Sequence, residues 1–134
     1  MLNYLLDTNA CIRYLSGRSE LLRDRLRATP PDQIAVCTVV MAELFAGAGK
    51  SNNPESALAK QRSFLSAFTM LVFDERAAEA YGHIRSYLEL NGTPIGPYDL
   101  QIAAISAANN LTLVTHNTGE FSRVPGLSIE DWET

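Results

Sequence analysis

Three carboxylates stand alone in apolar segments of the chain, and acids in such a setting can do metal chemistry. Asp7 follows Leu2-Asn3-Tyr4-Leu5-Leu6, with no other acid before Glu20. Glu43 lies within Val39-Val40-Met41-Ala42-Glu43-Leu44-Phe45-Ala46, the sole acid between Asp32 and Glu55. Asp99 opens Asp99-Leu100-Gln101-Ile102-Ala103-Ala104-Ile105, the sole acid between Glu89 and Glu120. Burying an unpaired charge costs several kcal/mol or more. No Lys or Arg adjoins any of the three. A shared divalent cation would compensate all of them at once. Hard oxygen ligands with few imidazoles or thiolates nearby select Mg2+, with Mn2+ as a substitute, over zinc. Such a cation activates water and neutralises charge on a phosphodiester.

Each acid also has a plainer reading. Asp7 could simply cap a helix, which is worth about 1 kcal/mol. Asp99 could be favoured by the dipole at a helix start, for about 0.3–1 kcal/mol. Glu43 is harder to dismiss, because it lies too far inside its helix for a capping box from Thr38. Its helix face carries Val39, Val40, Ala46 and Gly47, which would let a bulky ligand approach. The joint occurrence of all three, each near the start of an element, decides for one shared site.

The elements that must position these acids can be traced along the chain. Residues 2–6 read as a short buried strand, followed by a helix from Thr8 to about Ser16. A second helix is expected over Ser19–Ala28, with Leu21, Leu22 and Leu26 on one face and arginines opposite. Thr29-Pro30-Pro31-Asp32 is a break. Ile34–Cys37 reads as a strand, with Thr38 as the cap of a helix to about Ala48. A loop expected to be mobile, Gly49–Pro54, precedes a helix over Glu55–Ala67 and a strand at Met70–Phe73. Asp74 caps a helix that stops at Asn91-Gly92. Tyr98–Asn109 reads as a helix, Leu111–Thr115 as a strand and Leu127–Ile129 as a last one. Short apolar strands alternating with helices predict a single α/β domain over residues 1–134, with a mainly parallel sheet flanked by helices. In such sheets ligands bind beyond the carboxyl ends of the strands. Asp7 and Thr115-His116-Asn117 fall at such ends.

Composition sets outer limits. A chain of 134 residues with a hydrophobic fraction of 46% suits one folded domain with a real core. No apolar run approaches the roughly 18 residues of a membrane span, and Met1-Leu2-Asn3-Tyr4 lacks the basic start of a signal peptide. Cys11 and Cys37 have no zinc spacing and are expected to be buried thiols in a reducing cytoplasm. The net charge of −4 argues mildly against a general nucleic-acid binder. Arg13, Arg18, Arg23, Arg25 and Arg27 nevertheless crowd one segment. A solvated helix face is the plain reading of that cluster by itself.

Four segments together resemble the PIN-domain ribonucleases, with the closest likeness to the VapC toxins of bacterial toxin–antitoxin pairs. They are Leu5-Leu6-Asp7-Thr8-Asn9, Val40-Met41-Ala42-Glu43-Leu44, Ile95-Gly96-Pro97-Tyr98-Asp99-Leu100-Gln101 and Leu113-Val114-Thr115-His116-Asn117-Thr118-Gly119-Glu120-Phe121. The tail from Phe121 to Trp132 is similar to theirs as well. Any one motif is weak, whereas the ordered set is strong and covers nearly the whole chain. The resemblance implies that Asp7, Glu43 and Asp99 hold Mg2+ and that RNA is cut by metal-activated water. It implies a fourth acid after Thr115, where Asn117 and Glu120 are both available. Thr8, Asn9, Thr115 and Asn117 are implied supports for the carboxylates or the scissile phosphate. It also implies a homodimer, a cognate antitoxin and a structured RNA substrate, with transfer RNA foremost. Arg13, Arg18, Arg25 and Lys50 are the candidates for holding the RNA backbone, and Leu15, Leu21, Leu22, Leu26, Leu44 and Phe45 for a partner surface.

Competing readings fare less well. A phosphatase of the haloacid dehalogenase type needs a second acid two residues after the first, where Asn9 stands. It also needs a late lysine, and none occurs after Lys60. The same lack counts against a response-regulator receiver. A non-catalytic PIN fold that only binds a partner is the alternative from another class; the presence of all three acids favours catalysis.

Overall fold

The computed structural model describes residues 1–134, and five short parallel strands form its frame. In chain order these are β1 (Tyr4–Leu6), β2 (Ile34–Cys37), β3 (Thr69–Leu71), β4 (Thr112–Val114) and β5 (Ser128–Glu130). They lie side by side in the order β3-β2-β1-β4-β5. Register places Leu5 opposite Ala35 on one side and Leu113 on the other. All four residues of β2 are buried, as expected for a strand covered on both faces.

Seven helices supply the crossovers: α1 (Thr8–Ser16), α2 (Glu20–Ala28), α3 (Thr38–Gly49), α4 (Pro54–Leu65), α5 (Glu75–Leu90), α6 (Pro97–Ala108) and α7 (Thr118–Phe121). The chain steps outward from β1 through β2 to β3, then crosses back to β4 on the far side of β1. Right-handed crossovers therefore put α1–α4 over one face and α5–α6 over the other. The packing follows this division: α1 touches α2 and α3, α3 touches α4, and α5 lies along α6. Helix α6 is apolar almost all round, with Leu100 and Ile102 through Ser106 buried, so it must be a core helix. One further contact, between α3 and α6, joins the two helical layers.

Caps set most of the helix starts. Asp7 accepts from the Ala10 N–H at 2.8 Å, and Asp74 from the Ala77 N–H at 2.9 Å. Helix α1 ends at Gly17, whose left-handed φ of 69° lets its N–H turn back to the Arg13 and Tyr14 carbonyls. Helix α5 stops at Asn91-Gly92, as its sequence indicates. Thr38 does not cap α3. It is the first helical residue, the cap position is Cys37, and no side chain bonds there. Leu21 likewise departs from expectation: it is 58% exposed, while Leu22 and Leu26 are buried. The β3 strand begins one residue earlier than expected and ends two residues earlier. Cys11 and Cys37 are both free and buried. No helix is long and apolar enough to cross a membrane.

The tail after β5 folds back onto the first two helices. Trp132 is 3% exposed and meets Tyr4 edge-on at 5.0 Å, with the Arg25 guanidinium 4.8 Å above its ring. Its indole N–H donates to Glu130 at 2.9 Å, and Arg25 reaches the same carboxylate at 3.2 Å. This single aromatic residue thus anchors the tail. Trp132→Ala is expected to cost about 3–5 kcal/mol. Chemical denaturation should show a lower midpoint at an unchanged m-value.

Candidate active site at the carboxyl end of the sheet

Strands β1 and β4 are neighbours whose outgoing connections run in opposite directions, which opens a crevice beyond their carboxyl ends. Asp7 sits there, between β1 and α1. Its backbone N–H donates to the Val114 carbonyl at 3.1 Å, which ties it to the end of β4. Its carboxylate is 2% exposed, and it accepts from the Ala10 N–H and from the Thr115 hydroxyl. Burial, set against those bonds and joined by repulsion from Asp99 and Glu133, lifts its pKa from 3.8 to about 6. Thr115 is itself buried, and its oxygen accepts from the Asn117 N–H at 3.0 Å, which leaves the hydroxyl proton for Asp7.

The α3–α6 contact brings in the other two acids. Thr8, in the first turn of α1, donates its hydroxyl to Glu43 at 2.5 Å and so ties α1 to α3. Asp99 lies in the first turn of α6, half-buried, and its side chain accepts no hydrogen bond. Burial first, then the charges of Glu120 and Glu43, raise its pKa to about 6. Glu120 is held from two sides, by the Asn117 amide at 2.7 Å and by the Gly96 N–H at 3.2 Å. Those bonds, with help from Arg123, hold its pKa below the ordinary glutamate range. Asn117 is therefore engaged in fixing Glu120, and Glu120 is the acid that faces Asp99.

Asp7, Glu43, Asp99 and Glu120 thus share one region, and none of them forms a salt bridge with Lys, Arg or His. Thr8 contacts Glu43 and Asn117 contacts Glu120, whereas Asn9 is exposed and its side chain makes no hydrogen bond within the protein. The expected arginine cluster is also divided. Arg13 is paired with Glu133, and Arg25 is engaged by Glu130 and Trp132, so both hold the tail rather than offering free charge. Arg18 and Lys50 remain exposed and form no salt bridge. Leu22, Leu26 and Leu44 belong to the core and leave the expected partner surface to Leu21 and the partly buried Leu15 and Phe45.

The tail contributes charges that the sequence reading overlooked. Ligand atoms of His116, Asp131 and Glu133 lie within 4.8 Å of one another, a tighter group than the four acids form. Each already has a partner within the protein. His116 Nδ1 bonds Asp131 at 2.9 Å, the Glu133 N–H donates to Asp131 at 2.9 Å, and the Glu133 carboxylate receives Arg13. This trio reads as a lock on the tail. The four acids have no salt bridge, with only Arg123 acting on Glu120 from beyond salt-bridge distance, and fit a divalent cation better. The only sequence hint of the lock is the acidic run Glu130-Asp131-Trp132-Glu133 facing an arginine-rich helix pair.

Raised carboxylate pKa values are stability statements. Between 3.8 and about 6 the folded protein binds protons at Asp7 and Asp99 that the unfolded chain does not. Metal-free stability from these groups is therefore full below pH 4 and is lost as pH rises through about 6. For buried Asp7 this amounts to roughly 2–3 kcal/mol. Melting of chelator-treated protein should show Tm rising as pH falls from 7 to 5, and Asp7→Asn should flatten that rise while raising Tm at pH 7.

Comparison with known proteins identifies the family of the fold. The PIN domain family model matches residues 4–127. The chain is 40% identical to the tRNA(fMet)-specific endonuclease VapC of Salmonella typhimurium, an alignment covering 98% of this chain and 99% of that one. It is 37% identical to ribonuclease VapC2 of Rickettsia felis, over 97% and 98% of the two chains. The structure matches a chain of DNA-bound VapBC from Salmonella typhimurium with TM-score 0.93 at 40% identity, covering 98% of this chain and 99% of that one. A chain of VapBC2 from Rickettsia felis, bound to a promoter DNA fragment, gives 0.91 at 36% identity over 98% and 99%. With its parallel sheet, its acids gathered at the carboxyl end and this likeness along nearly its full length, the chain belongs to the PIN-domain family, as a ribonuclease of the VapC type.

Proposed function

We propose that Asp7, Glu43, Asp99 and Glu120 hold Mg2+, or Mn2+ in its place, and that the protein is the toxin of a toxin–antitoxin pair which cuts a structured RNA. The observation that carries this reading is the convergence of four carboxylates, none in a salt bridge, beyond the carboxyl ends of β1 and β4. Repulsion among such acids is relieved by a divalent cation, and all four donors are hard oxygens. A bound cation would supply charge neutralisation at the phosphodiester and a lowered pKa for water.

The protein's own residues do the rest. Asp7 is immobilised by its cap bond and by Thr115, so it sets the position of the site. Thr8 orients Glu43, while Asn117 and the Gly96 N–H hold Glu120 ionised and aimed. Asp99 accepts no bond from the protein, which leaves its carboxylate oxygens open to the cation or to a water beside it. Membership among the VapC ribonucleases leaves the alternative of a non-catalytic partner-binding fold without support.

The relatives from Salmonella typhimurium and Shigella flexneri are described as tRNA(fMet)-specific, which favours an initiator-type transfer RNA cut in an unpaired loop. The solved relatives described as VapBC favour an antitoxin partner. The exposed Leu21 and Ile12 favour self-association into a homodimer. The whole would act in the cytoplasm, where its RNA substrate is found.

Two measurements test this. Asp7→Asn keeps the shape of the side chain and removes its charge. It should lower RNA cleavage at least about a hundred-fold, as should Asp99→Asn. Wild-type activity in either purified variant would contradict the site. Sequencing of RNA ends after brief induction should give one dominant cut in a transfer-RNA loop. Uniform loss of all transcripts would refute a specific structured substrate and leave the metal chemistry standing.

A further inference from the structure

A groove of about 710 Å³ borders the carboxylates on the α3 side. Its floor is the stripe Ala42, Ala46 and Gly47, residues so small that a channel remains between α3 and α6. Glu43 is part of the lining, so the groove adjoins the acid cluster through that one carboxylate. Tyr98 and Gln101, one helical turn apart on α6, form another wall; Phe73, from the β3–α5 connection, also faces the groove, as does Lys50 at the end of α3.

Two aromatic rings are left open to solvent here, Tyr98 at 57% and Phe73 at 37% exposure. Phe73 is steadied edge-on by Tyr81 at 5.7 Å, whereas Tyr98 pairs with no other ring and keeps a free face. An exposed aromatic face, an amide with both a donor and an acceptor, and a lysine together describe a flat heterocycle on an anionic chain. Such a ring would stack on Tyr98, with its polar edge toward Gln101 and its phosphate toward Lys50.

We propose that this groove is a base-binding subsite, with Tyr98 as the stacking platform for an unpaired nucleotide next to the scissile phosphate. The proposal rests on the reading of the four acids as the cleavage site, because Glu43 is common to both. A base can enter only when it is unstacked from its neighbours. The subsite therefore selects single-stranded loops over duplex, independently of which RNA carries the loop.

The test uses a short single-stranded RNA carrying one 2-aminopurine, bound to the full chain bearing Asp7→Asn to suppress cleavage. Binding should quench the 2-aminopurine. Tyr98→Ala should weaken binding about ten-fold and abolish the quench, and Tyr98→Phe should restore both. Gly47→Phe should do the same as Tyr98→Ala by filling the groove. A Cβ at Gly47 meets nothing within 4 Å, so the substitution starts without a backbone clash, and an unchanged circular dichroism spectrum and melting point check that the variant is folded. Wild-type affinity and quenching in Tyr98→Ala and Gly47→Phe would overturn the proposal. So would an RNA that binds none of the proteins, or variants that lose only binding to a protein partner, which would make the groove a protein-docking face. Cleavage that persists in Asp7→Asn would count against the acid site alone, and the quench comparison among groove variants reads separately from it.

Discussion

Like charges gathered at one point are the constraint around which the rest of the protein is arranged. Asp7 caps α1, which would be an ordinary stabilising contact, but it does so while buried beside Asp99 and within range of Glu133. Placing a carboxylate there is unfavourable, and the fold offsets the cost with directed hydrogen bonds instead of a cation of its own. The Ala10 N–H and the Thr115 hydroxyl hold Asp7, Thr8 holds Glu43, and Asn117 and the Gly96 N–H hold Glu120. Such bonds fix positions without neutralising charge. The region is left with unneutralised negative charge, which is the basis for proposing a divalent ion there.

Basic residues are correspondingly kept to other tasks. Arg13 on α1 and Arg25 on α2 are engaged by the tail through Glu133, Glu130 and Trp132. Free to swing, a guanidinium could pair with one of the clustered carboxylates and neutralise it. Held on the tail, it stabilises the fold and keeps the acid cluster open. His116 is restrained in the same way by Asp131. The tail thus organises the surroundings of the site without contributing to its central acids.

Much of this was legible in the sequence. Alternating short apolar strands and helices gave the α/β class, because period and length differ between the two element types. Asp74 and Asn91-Gly92 marked the ends of α5, since capping is a local property. The isolation of Asp7, Glu43 and Asp99 pointed to one shared site. Local pattern misled where neighbours decide: Leu21 looks like part of an apolar face but lies at the edge of the stripe that α2 buries, and Thr38 looks like a cap but falls inside its helix. The choice between Asn117 and Glu120 was open from residue types alone, because either can serve a cation.

By itself, then, the sequence determined which elements form, where most of them begin and end, and which acids are too isolated to be ordinary surface charge. Those properties depend on side-chain chemistry within a few residues of each other. Only the tertiary structure decided how the charges are distributed. The contact between α3 and α6 brought Glu43 within range of Asp99, and the return of the chain from β3 to β4 set Thr115 against Asp7. The fold-back of the tail took Arg13 and Arg25 out of the free basic surface. Partners separated by 120 positions, as Arg13 and Glu133 are, leave no mark in local spacing. Their meeting depends on the path of the whole chain, and the charge of each residue is meaningful only once its neighbour in space is known.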